Sequence, residues 1–157
     1  MAEEENQPVH AFQALERSIM KKILILCTGN SCRSQMAEGY LRFFAGRRAN
    51  IFSAGIETHG LNAQAVATML EDGIDISSHT SNAIAEYSSM EFDDVITVCD
   101  HAKEMCPVFP GRANLFHQNF PDPSKTVGSG EEIAASFRHT RDLIKQFCRE
   151  WAQRHLP

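Results

Sequence analysis

One stretch constrains this chain more than any other: an apolar run that ends on a cysteine and passes directly into a loop closed by arginine. It runs Lys22-Ile-Leu-Ile-Leu-Cys27-Thr-Gly-Asn-Ser-Cys32-Arg33-Ser34. Ile23 to Leu26 has the composition of a buried strand. Gly29 and Asn30 tolerate φ > 0, so the loop between them and Arg33 can curl tightly. From Ser34, a plausible N-cap, Gln35 to Phe44 reads as a helix with an apolar stripe. A strand, a short loop and a helix N-terminus aim successive backbone N–H groups at one point. The spacing predicts an oxyanion cradle formed by Cys27, Thr28, Gly29, Asn30, Ser31, Cys32 and Arg33, with Cys27 as a nucleophile of depressed pKa. Cysteine, five residues, arginine also occurs at Cys106–Arg112 and Cys148–Arg154. The former contains two prolines and the latter lies in a helical pattern, so only the first match has strand–loop–helix context.

The remaining chain alternates strands and helices. Ala49 to Ser53, Val95 to Val98 and Ala113 to Phe116 read as further strands. Helices are expected from Asn62 to Leu70, around Asn82 to Tyr87, and from Ser129, at a capping-box spacing, to about Gln153. Asp100 to Arg112, with Pro107, Pro110 and Gly111, reads as loop-rich, although residues 100–105 could form a turn of helix. This alternation predicts an α/β fold in three layers, a four-stranded parallel sheet with helices on both faces. Right-handed crossovers gather the strand C-termini along one edge. Cys27, Cys99 and Asp122 each lie just past such an end and should meet in one crevice.

Several function classes are excluded by composition. The chain has 157 residues and a net charge of −5, with four glutamates against one arginine before residue 21, so the remainder is close to neutral. A chain without a basic stripe is a poor nucleic-acid binder. No stretch is long enough to span a bilayer, and no signal-peptide pattern opens the chain, so a cytoplasmic location is the expectation. Residues 1–20 read as an N-terminal extension, flexible or a short helix, and 21–157 as one catalytic domain. Five cysteines without an export signal fit reactive thiols better than a disulfide framework. The seven histidines show no metal-ligand spacing.

Chemistry narrows the candidates further. Arg33 offers a planar fork to a tetrahedral oxyanion. Ser34 can donate to the Cys27 sulfur, and Asn30 shapes the loop. Asp122, held between Pro121 and Pro123, is placed to act as a general acid. Cys99 and Cys106 flank a six-residue segment, and joining them needs Cα atoms within about 7 Å, hence looping or unwinding. If Cys99 also reaches Cys27, three thiols form a relay. Cys32 and Cys148 have no assigned task.

The cradle sequence, Ser53-Ala-Gly-Ile-Glu-Thr-His-Gly60, Gly73-Ile-Asp-Ile-Ser77 with His79-Thr-Ser, and Val95-Ile-Thr-Val-Cys-Asp100 with Cys106-Pro107 together resemble the thioredoxin-coupled arsenate reductases. Those proteins are built on the low-molecular-weight protein tyrosine phosphatase fold, with flavodoxin-like strand order. The resemblance implies that Cys27 attacks arsenate, for which phosphate or sulfate are analogues, held by the loop and Arg33, and that Asp122 helps an oxygen leave as water. It implies a Cys27–Cys99 disulfide, then a Cys99–Cys106 disulfide presented to thioredoxin as external reductant, with no bound cofactor. Some relatives bind potassium through positions matching Asn30, Glu38, Ser53 and an aspartate. Asn82 stands at the last position, so only a weak site is expected. Gln118-Asn119 replaces an aromatic–glycine pair, and Ser124-Lys125 stands where phosphatases of this fold carry tyrosines. The rivals to arsenate reduction are a phosphotyrosine phosphatase on the same fold and a non-catalytic redox sensor.

Overall fold

The structure, a computed structural model, describes residues 10–13 and 20–157. The expectation of an extension over residues 1–20 lies largely outside these; residues 10–13 form a helical turn with Phe12 exposed. Four strands, β1 (Lys21–Cys27), β2 (Ala49–Gly55), β3 (Asp94–Thr97) and β4 (Asn114–His117), form one sheet in the order β2-β1-β3-β4. All neighbours are parallel, with Leu24 opposite both Phe52 and Val95. This is the expected α/β architecture in flavodoxin-like order. Consecutive residues of a strand point to opposite faces, yet Ile23, Leu24, Ile25 and Leu26 are all fully buried. Both faces of β1 are therefore covered, which is why its sequence shows no alternation. Each of these side chains contributes on the order of 2 kcal/mol by burial.

The helices are α1 (Arg33–Ala45), α2 (Ala63–Glu71), α3 (Asp100–Met105) and α4 (Gly130–His155). The long α4 packs on α1 and α2, while α3 lies against β1 and β3. Helix α4 starts with the capping box read from Ser129 and Glu132, and Asn62 caps α2 by accepting from the Ala65 N–H. The cap expected at Ser34 is displaced: α1 starts at Arg33 and Cys32 occupies the cap position without a side-chain bond. Part of the stretch read as loop-rich is the short helix α3. Its capping atom is the Cys99 sulfur, which accepts from the Ala102 N–H at 3.4 Å. Sulfur is not among the usual capping groups, so this helix start was hard to foresee.

Parallel register brings the C-terminal ends of all four strands to one edge. Cys27 pairs with Gly55, and Thr97 with His117. Gly55 lies hard against the loop that follows β1. A Cβ there would come within 2.6 Å of the Asn30 nitrogen and 2.2 Å of the Glu57 carbonyl oxygen. The fold thus requires glycine where β2 backs the cradle. Among the described residues, no helix is long and apolar enough to cross a membrane.

Candidate active site

The backbone after β1 is tied down by its carbonyls. Those of Cys27, Thr28, Gly29 and Ser31 accept from the N–H groups of Ile56, Glu57, His59 and Asn62, at 2.9–3.1 Å. The carbonyl of Asn30 accepts from Gln35 Nε2 at 3.0 Å. With these oxygens turned outward, the peptide N–H groups of the loop turn inward, which is the arrangement an oxyanion requires. Only Asn30 adopts the left-handed conformation, at φ 46°. Gly29, also expected there, does not. Its lack of a side chain instead admits the His59 ring, whose Nδ1 would lie 2.3 Å from a Cβ.

The loop borders a cavity of about 320 Å³ lined by Cys27 to Gly29, Ser31 to Arg33, His59, Asp122, Ser124 and Lys125. Arg33 closes it. Its Nη1 donates to the Phe120 carbonyl at 3.0 Å, and its Nη2 lies 3.5 Å from Asp122 Oδ2. The other carboxylate oxygen of Asp122 accepts from the Ser124 N–H and Oγ–H at 3.0 and 2.6 Å. The two prolines and this local turn aim one oxygen of Asp122 at the cavity beside the guanidinium. Cys32, without an assigned task, is buried at the cavity wall, and burial pushes its thiol up to about 12. Cys148 is fully buried and donates to the Ala37 carbonyl. It belongs to the core.

Behind the loop lies a buried polar network. Asn30 Nδ2 donates to Ser34 Oγ and Ser53 Oγ, both at 2.9 Å, and Asn30 Oδ1 accepts from the Asn82 N–H at 2.7 Å. Ser53 donates to Glu38 Oε1 at 2.7 Å. Ser34 is therefore a strut of the loop through Asn30, and among the described residues it makes no hydrogen bond to Cys27. The trio Asn30, Glu38 and Ser53 does come together, but as a hydrogen-bonded chain. The amide presents nitrogen, not oxygen, to Ser53, and Glu38 Oε2 faces Arg42 Nε and His79 Nδ1, each at 3.1 Å. This donor set does not fit potassium: its oxygens are engaged by protein donors, two of them on basic side chains. No cluster of metal-ligating side chains occurs among the described residues.

Thr28 Oγ1 lies 3.3 Å from Cys99 Sγ, which brings Cys99 beside Cys27 at the cradle. These contacts overturn the expectation of a depressed Cys27 pKa. The bond to Cys99 and burial hold the Cys27 thiol above its usual range, against the opposing charge of Arg33 and the Thr28 N–H. The Cys99 thiol is lowered to about 5, first by Cys27 and then by the Thr28 hydroxyl, the Ala102 N–H and Arg33. One proton is thus shared by two sulfurs. Cys106 sits at the other end of α3, half-buried, with its thiol raised by burial. Seven residues at a helical rise put it roughly 10 Å from Cys99 along the axis, beyond the reach of a disulfide while α3 is intact.

Four residues at this edge received no role from sequence. His59 and Lys125 border the cavity, and neither stands in a motif with a mechanism. His117 and Asn119 contact α3, the former through Asp100 Oδ1 at 2.7 Å and the latter by accepting from the Asp100 N–H at 3.1 Å. Their place after a predicted strand was the available signal. Asn119 thus bears on the relay helix.

Known proteins share this arrangement. The family described as low molecular weight phosphotyrosine protein phosphatase matches residues 22–156. An arsenate reductase of Halalkalibacterium halodurans is 46% identical over 133 residues, covering 85% of this chain and 96% of that protein. An arsenate reductase of Bacillus subtilis is 45% identical over the same shares. The solved structure of an arsenate reductase in its oxidized state superposes with a TM-score of 0.74 at 29% identity, over 86% of this chain and 98% of that one. With its cradle, its parallel sheet and these relatives, the chain belongs to the low molecular weight phosphotyrosine protein phosphatase family and stands there beside arsenate reductases.

Proposed function

We propose that this protein reduces arsenate to arsenite with two thiol electrons at a time, passing the resulting disulfide from Cys27–Cys99 to Cys99–Cys106. The observation that carries this reading is the second sulfur at the cradle: Cys99 Sγ lies 3.3 Å from Thr28 Oγ1, the residue next to Cys27. A phosphatase of this fold has no use for a second nucleophile at that place, and a reductase requires one.

Arsenate enters the cradle between the inward N–H groups and Arg33. Cys27 gives up its proton, and its sulfur forms a bond to arsenic while an arsenic–oxygen bond breaks. The proton leaves with that oxygen as water, relayed by Asp122 at the cavity wall. The Cys99 thiolate then attacks the Cys27 sulfur. The electron pair of the arsenic–sulfur bond stays on arsenic, which goes from As(V) to As(III), and the arsenite oxygen takes up a proton from water. Arsenite departs and Cys27–Cys99 is a disulfide. With α3 unwound, the Cys106 thiolate attacks Cys99, frees Cys27 and leaves a Cys99–Cys106 disulfide. An external dithiol of the thioredoxin type returns that pair to thiols, so the electrons need no bound redox group.

The test is arsenate-dependent NADPH consumption with a thioredoxin system, run beside aryl-phosphate hydrolysis. Sustained turnover on arsenate with weak hydrolysis is expected. Aryl-phosphate turnover without arsenate-dependent oxidation would make the protein a phosphatase. A single oxidation event per chain would make it a redox sensor.

A further inference from the structure

The two ends of the relay segment are held very differently. At its start, Asp100 is fastened twice, to the last residue of β4 and to the chain just past it. Its backbone N–H donates to Asn119 Oδ1 at 3.1 Å, and its carboxylate meets His117 Nε2 at 2.7 Å. A carboxylate only accepts, so Nε2 carries the proton and Nδ1 faces Thr97 Oγ1, 2.7 Å away. Thr97 and His117 are register partners on β3 and β4, which makes this a rigid bracket on either side of Cys99. Ala102 is fully buried, and the Lys103 N–H closes the first turn on the Cys99 carbonyl at 3.2 Å. The far end has no comparable ties among the described residues. Met105 is 55% exposed, Val108 is 98% exposed, and the Cys106 thiol bonds only to its neighbour's carbonyl, that of Pro107. Order resumes at Phe109, which packs edge-on against Phe92 at 5.4 Å.

The geometry points to a clamp: Thr97, His117, Asp100 and Asn119 hold the Cys99 end of α3 in reach of Cys27, so that α3 unwinds from its Cys106 end between two fixed points. This rests on the relay proposed above. Between Asp100 and Phe109 the chain has ample contour once the helix is lost, at up to about 3.3 Å per residue against 1.5 Å in the helix. Cys106 can then swing back to a sulfur that has not moved. His117 and Asp100 are positioning residues for the relay, acting through Cys99.

Two substitutions separate the clamp from general packing. His117→Gln places an amide nitrogen where Nε2 was and keeps the bond to Asp100. His117→Asn replaces only the Nδ1 side and loses it. In reduced protein, amide hydrogen exchange at Asp100 and Lys103 should quicken about fivefold in His117→Asn and Asp100→Ala and stay close to wild type in His117→Gln. In single turnover with arsenate, formation of the Cys27–Cys99 disulfide, trapped by acid and alkylation, should slow by a similar factor in the first two variants and be rescued in the third. Equal exchange and equal disulfide rates in all three variants would overturn the clamp. So would slowing in His117→Gln as large as in His117→Asn, since bulk packing alone would then explain it. If wild type joins no Cys27–Cys99 disulfide on arsenate, the reductase reading fails, and the exchange arm still decides whether Asp100 is held by His117.

Discussion

The cradle and the relay segment are both short stretches that follow a parallel strand, and they are built to opposite specifications. In the cradle, every loop carbonyl from Cys27 to Ser31 has a partner, and Asn30 is fully buried with three side-chain hydrogen bonds. In residues 105–108 three of the four side chains face solvent and Cys106 is half-buried, one of the four is proline, and the ties lie at the two ends. An anion site gains from donors fixed in advance, because no reorganisation is then needed as charge develops. A sulfur that must travel roughly 10 Å needs a segment of low local stability. One fold therefore places its most rigid and its least restrained loops side by side.

That contrast can be broken from either side. Cys27→Ser removes the nucleophilic sulfur of the cradle and should abolish arsenate-dependent NADPH oxidation, with no detectable rate. Cys106→Ser should permit one turnover and then stall with Cys27 joined to Cys99, seen as one arsenite released per chain and a mixed peptide on non-reducing digestion. The shared proton offers a titration. The thiolate on Cys99 lies below the ordinary thiol range, so its ultraviolet absorbance should be present at neutral pH and vanish as the pH falls through about 5. In Cys99→Ser the step near 5 should be displaced, because the sulfur that carries it is gone and Cys27 loses the first cause that held it up. Asn30→Ala strips the cradle of its strut, leaves the Asn82 N–H without its acceptor and puts alanine at a positive φ. A loss of about 3 kcal/mol is expected, read as a fall in Tm of roughly 10 °C. Met105→Ala, in the loosely held segment, should change stability by less than about 0.5 kcal/mol.

The sheet was legible because β1 is buried on both faces and shows it as an unbroken apolar run. The cradle was legible because its cysteine, loop and arginine are local in sequence. That Cys27, Cys99 and Asp122 meet at one edge followed from topology, since parallel strands end at a common edge. Three features escaped. The proton distribution between the two sulfurs depends on a contact across 72 positions of chain, and no spacing encodes it. The start of α3 is capped by sulfur, which propensity does not recognise. Ser34 looked like a cap from its residue type, but Asn30, folded back by its left-handed backbone, takes its hydroxyl. The residues matching a cation site were correctly grouped, yet Arg42 and His79, which turn them into an ion-paired chain, reach Glu38 from a neighbouring turn and a distant loop.

The parallel sheet has a practical consequence at its opposite margin. Lys21 begins β1 and Cys27 ends it, so six steps of about 3.3 Å separate the strand's entry from the nucleophile by roughly 20 Å. A dye, an affinity handle or a surface linkage attached just ahead of β1 would sit on the far side of the molecule from the cavity mouth. The protein can thus be immobilised by that margin with its cavity mouth turned away from the support, open to oxyanion and reductant alike.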